Sequence, residues 1–204
     1  MKKAVVCLLG VVCMLLLPPA VLAQSRAEEV VAALSAQMRA LEGYEIGFEV
    51  AMGEYRGTGS YFVSGDSYYL VMGDNEVFAD GSTRFEVSNS RREIIVGETD
   101  AASRSLLDNP VRAFDFLDSE YAPSLLWVRD GATAVLLTPA AGSGVPTGNI
   151  TLVVTTASLR PQSIVYDFDG GQVTVRILRF GPFAGPLRTF DRAAYPDYEW
   201  IDFR

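Results

Sequence analysis

The sequence predicts an α+β fold made mainly of strands: one large antiparallel sheet preceded by a single amphipathic helix. Three observations lead there. From residue 44 onward, apolar side chains recur with period two. The runs are separated by short turns rich in Gly, Asp, Asn and Ser, whereas parallel strands need crossovers of about a dozen residues. Residues 27–41 instead carry apolar side chains at spacings of three and four.

The chain opens with Lys2 and Lys3, an apolar run over 4–17, Pro18 and Pro19, and then Val21-Leu22-Ala23 before Gln24. This pattern predicts a secretory signal peptide over residues 1–23, cleaved from a single domain over 24–204. The run falls short of the roughly 20 apolar residues of a membrane span. Neither Cys7 nor Cys13 follows the small residue that a lipidation signal requires, since valine precedes both.

Ser25-Arg26-Ala27-Glu28 reads as a capping box at a helix start. Ala27, Val30, Val31, Leu34, Met38 and Leu41 form the apolar stripe, and Gly43 suits the position past the helix end. Strands follow over 44–50, 56–63, 67–72, 76–79, 83–87 and 92–96. Residues 97–123 break the pattern. There Asn109-Pro110 reads as a cap and first helical residue, with Val111, Phe114 and Leu117 on one face, and 101–107 reads as helical too. Strands resume over 125–129, 133–138, 150–155, 163–168 and 172–180, and the tail to Arg204 reads as extended. The total is about ten or eleven strands.

Beyond the leader the chain has no Cys, Lys or His, because both cysteines and both lysines lie in residues 1–23 and His is absent throughout. Losing two lysines moves the net charge from −8 to −10. Disulfides, thiol or histidine nucleophile systems, the usual zinc sites and a phosphate-binding P-loop lysine are thereby excluded. The acidic balance argues against nucleic acid. Carboxylate chemistry remains open: Asp66, Asp74, Asp80, Asp167 and Asp169 are available, but all except Asp167 sit at predicted turns, where Asp serves local hydrogen bonding. Asp167-Phe168-Asp169-Gly170 starts like a calcium loop and lacks the later ligands.

A sheet of this size must curl or split. It either closes as a barrel or curls into a half-barrel filled by the N-terminal helix and the 101–117 segment. The run Ser67-Tyr68-Tyr69-Leu70-Val71-Met72 is apolar on both parities. Either both faces of this strand are covered, or one keeps an apolar surface for a ligand, or one packs on the core while the other carries surface aromatics.

Several stretches together resemble the LolA family of periplasmic lipoprotein carriers, most closely its Bacteroidetes-type branch. They are the amphipathic helix leading into GYEIGFEV, the Gly-x-Gly strand of GTGSYFVSGDSYYLV, the Asp-Gly turn of EVFADGSTRFEVS, NPVRAF, and the ending YPDYEWIDFR. The resemblance spans nearly all of residues 24–204. It implies an incomplete antiparallel β-barrel, LolA/LolB-like, with helices as a lid over an apolar cavity. It further implies a periplasmic carrier without catalysis or cofactor, and a monomer. The carrier would take acylated lipoproteins from an inner-membrane lipoprotein-releasing ABC transporter to an outer-membrane acceptor. One departure stands out. The best-studied branch has a basic residue and proline where this chain reads Ser64-Gly65-Asp66, so that residue's role in cargo transfer passes to no residue here, neither Arg56 nor Arg84.

Parity places Tyr61, Val63, Tyr68, Leu70, Met72 and Phe85 on the cavity wall. Val30, Leu34, Met38 and Leu41 face them from the helix, with Phe114 and Leu117 beneath the lid. The alternatives are a general binder of lipids or other hydrophobic ligands, and an envelope interaction protein using its outer surface, where Trp127 and Trp200 would serve as anchors unless they are buried in the core.

Overall fold

The computed structural model describes residues 19–100, 103, 105–114, 120–142, 148–168 and 171–204. Residues 1–18 of the expected leader, Leu117 and Asp169 lie outside them. One helix, α1 (Pro19–Arg39), precedes twelve strands. They are β1 (Gly43–Met52), β2 (Tyr55–Ser64), β3 (Ser67–Met72), β4 (Asn75–Ala79), β5 (Thr83–Ser88), β6 (Glu93–Glu98), β7 (Tyr121–Arg129), β8 (Ala132–Pro139), β9 (Ile150–Thr155), β10 (Pro161–Phe168), β11 (Gly171–Pro182) and β12 (Glu199–Asp202).

All twelve form one sheet in the order β12-β6-β5-β4-β3-β2-β1-β11-β10-β9-β8-β7. Two meanders, β1–β6 and β7–β11, meet where β1 pairs antiparallel with β11. The edges β12 and β7 do not pair, so the sheet is curved but open. Register shifts at Gly47/Phe48, Leu125/Trp127 and Pro161/Ser163 add local bends of the kind bulges introduce. The twelfth strand comes from the tail, which pairs parallel with β6. A parallel pair is possible there because the chain between β6 and β12, residues 99–198, is far longer than a hairpin turn.

Three local expectations need correction. The helix does not start at the Ser25 box: Ala20, Leu22 and Ala23 are strong helix formers, and α1 runs unbroken from Pro19. Gly43 is not a helix cap but the first residue of β1. A Cβ there would lie 2.6 Å from the Val63 carbonyl oxygen and 2.8 Å from that of Phe183. Asn109 does not cap through its side chain, which donates to the Asp100 carbonyl instead. Pro110–Arg112 is a single 3₁₀ turn.

The Gly-x-Gly motif of β2 has a packing cause. A Cβ on Gly59 would meet the Phe48 ring at 2.6 Å, and one on Gly57 the Tyr55 hydroxyl at 2.6 Å. The first gap lets Phe48 stack on Tyr61, with centroids 5.2 Å apart.

The sheet buries both faces, over different strands. Its concave face carries the main core, covered by α1 and the 105–114 segment. Its convex face carries a second cluster around Tyr69, Phe78, Val87, Ile94 and Val96, covered by tail residues Leu187, Phe190, Tyr195 and Tyr198. Across β5 the concave face turns polar: Arg84 and Glu86 pair with inward Ala79 and Val77, while Phe85 and Val87 point outward. β3 lies where both coverings overlap, which accounts for its double parity. Tyr68 and Leu70 face the helix, and Tyr69 and Val71 face the tail.

Candidate functional site: a lidded apolar concave face

Of the twelve residues expected to line a cavity, ten fall in one apolar cluster on the concave face. Leu34, Met38, Tyr61, Val63, Tyr68, Leu70 and Phe114 are buried in it, and Val30, Leu41 and Met72 pack partly buried against it. Phe85 does not join them. It pairs with Phe78 on the convex face and stacks on Phe190, centroids 4.1 Å apart and planes 4° from parallel. The expectation failed because alternation separates two faces without saying which one is covered, and the apolar face switches between β4 and β5.

The concave face is closed in this structure. Tyr61, Tyr68, Phe48, Phe114 and Leu34 are all essentially inaccessible. What stays open is a cleft of ≈ 270 Å³ at the C-terminal end of α1. Met38, Leu41, Tyr44, Val63, Val111 and Phe114 give it apolar walls, while Arg39, Glu42 and Asp66 give it a charged rim. Sites for small ligands usually span about 300–1,000 Å³. A long acyl chain therefore requires the cover to move. The Ser64-Gly65-Asp66 turn lies on this rim, with Gly65 at φ +56°. This turn thus sets a glycine in the left-handed region and an acid beside the opening.

The cover is held by hydroxyls. Ser35 of α1 donates to the Phe114 carbonyl at 2.7 Å, Tyr68 to that of Asp108 at 2.9 Å, and Tyr44 to that of Pro110. Tyr166 accepts from the Leu106 amide at 2.8 Å. Burial holds the Tyr44 and Tyr166 hydroxyls far above the usual phenol range and pushes Tyr68 up to about 12. All three stay protonated, so the Tyr44 and Tyr68 hydroxyls keep the hydrogens they donate to the cover. Such bonds contribute about 0.5–1.5 kcal/mol each net to holding the segment over the sheet. Ser35, Tyr44 and Tyr166 were not picked out from the sequence. Their only sequence signal is a hydroxyl on an otherwise apolar inward parity.

The Tyr61 hydroxyl and Nε of Arg84, on strands of this face, have no hydrogen-bond partner among the described residues, and neither has Oδ1 of Asn109 in the cover. Arg84 also contacts Glu86 through Nη1, at 3.3 Å.

Among the described residues, no two of the candidate carboxylates share a hydrogen-bond partner. Asp66, Asp74 and Asp80 are exposed at turns, and Asp167 accepts from Gln172 at 2.8 Å. Asp80 accepts the amides of Thr83 and Ser82, which lower its pKa. Among the described residues no group of three or more acids could hold a metal. Trp127 and Trp200 are not core residues: Trp127 is half-buried under Arg129, and Trp200 is 40% exposed on β12. No described helix is long and apolar enough to cross a membrane.

No family model matches the chain, and no curated protein matches it in sequence. Solved structures do. An uncharacterized conserved protein from Thermus thermophilus superimposes with a TM-score of 0.55 at 10% identity, over 87% of this chain and 99% of its own. The likeness is one of fold. A DUF1329 family protein from Desulfovibrio piger matches at TM-score 0.47 and 10% identity, over 85% of this chain and 99% of its own. The LolA superfamily protein NE2245 from Nitrosomonas europaea matches at 0.39 and 11%, over 83% and 96%.

Proposed function

We propose that this protein is a carrier of acyl chains, which it shelters between α1, the 105–114 lid and the concave face of the sheet. The observation behind this reading is the cover itself. An apolar face is closed by a segment tied down through a few hydroxyls, with a cleft already open where Met38, Leu41, Val63 and Phe114 meet. A buried methylene is worth about 0.8 kcal/mol, so a long chain left in water costs on the order of 10 kcal/mol. A carrier must match that cost and still release its cargo. Met38 and Met72 are adaptable walls for such a task.

The predicted leader, cleaved after Ala23, would place the mature chain in the periplasm. By the resemblance to LolA-type carriers, the cargo would be acylated lipoproteins moving from an inner-membrane ABC transporter to an outer-membrane acceptor, with no chemical step. The mature net charge of −10 would limit adhesion to anionic membranes on the way.

The test is native mass spectrometry and lipid extraction of the protein purified from the periplasm of its own host. A carrier retains acylated protein or lipid. Clean, unliganded protein that also excludes a hydrophobic dye would refute the reading.

A further inference from the structure

Buried hydroxyls in folded proteins are nearly always paired, and an unpaired one needs an occupant or an explanation. Tyr61 is fully buried, yet its hydroxyl has no partner among the described residues. Its neighbours show the contrast, since the inward hydroxyls of Tyr44, Tyr68 and Tyr166 all engage the lid backbone. Nε of Arg84 is the second unpaired donor on the same face. Arg84 ends a cross-strand row in which Val63, Tyr68, Ala79 and Arg84 are successive partners, next to the row of Tyr61, Leu70, Val77 and Glu86, and its charge acts on the Tyr61 hydroxyl. Tyr61 lies two residues along β2 from Val63, so its Cα is about 7 Å from that of a residue on the cleft wall.

We propose that Tyr61 and Arg84 form a polar recess that receives an uncharged acceptor oxygen of the cargo, the ester carbonyl of an acyl chain. This rests on the carrier reading and adds a ligand class to it. Both atoms donate. Burial, followed by the nearby Tyr68, raises the Tyr61 hydroxyl well above the phenol range and keeps its proton in place. The recess is not an anion site. Arg84 is already ion-paired with Glu86, and Asp108 also acts on both Tyr61 and Tyr68. A carboxylate would meet two negative charges against one positive, whereas an ester carbonyl takes the donors without adding charge.

The experiment compares binding of dioctanoylglycerol, its dioctyl ether analogue, and decanoate against its methyl ester, by displacement of a hydrophobic fluorophore. Wild type, Tyr61→Phe and Arg84→Gln are measured. Wild type should bind the ester roughly tenfold more tightly than the ether, the free energy of one good hydrogen bond, and the methyl ester more tightly than decanoate. Tyr61→Phe should erase the ester preference, bringing ester and ether affinities together. Its melting temperature without ligand should hold or rise, because an unpaired buried hydroxyl has gone. Arg84→Gln should weaken the preference.

Equal binding of ester and ether by wild type overturns the recess while the carrier reading stands. A preference for decanoate overturns it as well, as does a lowered melting temperature of Tyr61→Phe with the ester preference intact. No binding of any chain rejects the carrier reading itself.

Discussion

Replacing Tyr166 by Phe is the sharpest mechanical test of the lid. Tyr166 and Leu106 are both fully buried, and the hydroxyl accepts the Leu106 amide at 2.8 Å. Phenylalanine keeps the ring in place, so the loss falls on the hydroxyl's contacts rather than on packing. It leaves a buried N–H without this acceptor, which costs about 1–3 kcal/mol rather than the smaller net value of a solvent-exchangeable bond. If that energy falls on the lid, opening of 105–114 becomes roughly 5–150-fold more frequent. Amide hydrogen exchange followed by mass spectrometry reads this directly. Peptides covering 105–114 should exchange faster by that factor, while β8 to β10 change only by the loss of global stability. Uniform acceleration across the chain, with no excess at the lid, would refute the latch and make Tyr166 an ordinary core residue.

Three further outcomes follow from the same geometry. Gly59→Ala places a Cβ 2.6 Å from the Phe48 ring and 2.8 Å from the Val71 carbonyl, so urea denaturation should show a loss of about 1–3 kcal/mol, partly restored by adding Phe48→Leu. Phe190→Ala removes stacking on Phe85 and Tyr195, worth about 0.5–1.5 kcal/mol per pair beyond area. It should free the tail and speed exchange in β12 and β6 while leaving the concave face unchanged. Glu76, on the convex face, is desolvated but accepts bonds from Tyr69, Tyr195, Asn89 and Arg188, and the bonds prevail and lower its pKa. A carboxylate with a depressed folded pKa stabilises fully above its unfolded value, about 4.3, and loses that contribution as pH falls through the folded one. Wild type should therefore lose more stability than Glu76→Gln on acidification from about pH 5 downward, and parallel acid profiles would contradict the assignment.

The meander was legible because its turns are written locally. Asp80 accepts the amides of Ser82 and Thr83 within its own loop, and the helix stripe from Ala27 to Met38 follows from spacing alone. The face of each strand was legible only where one covering element acts. At β3 the double parity of Tyr68 and Tyr69 is compatible with two coverings or with an open apolar face, and nothing local identifies the tail as the second covering. Arg188, which lies over the Tyr69 ring, is 119 residues away along the chain. The same absence of long-range information misplaced Phe85. The latch was hidden for a related reason: Ser35 to Phe114, Tyr44 to Pro110 and Tyr166 to Leu106 are separated by 79, 66 and 60 residues. The parallel strand β12 shows only as an extended tail until its partner β6 is known.

The most direct measurement of the central claim is photo-crosslinking with a long-chain lipid that carries a diazirine near its methyl end. The purified protein would be loaded, irradiated, digested and mapped by mass spectrometry. The account predicts labels on Met38, Leu41, Val63 and Phe114, extending to Leu34, Tyr61 and Leu70 as the chain enters beneath the lid, with more labelling in Tyr166→Phe. Labels confined to exposed convex or edge residues such as Leu178, Trp200 and Phe203, with the concave face unmarked, would contradict it.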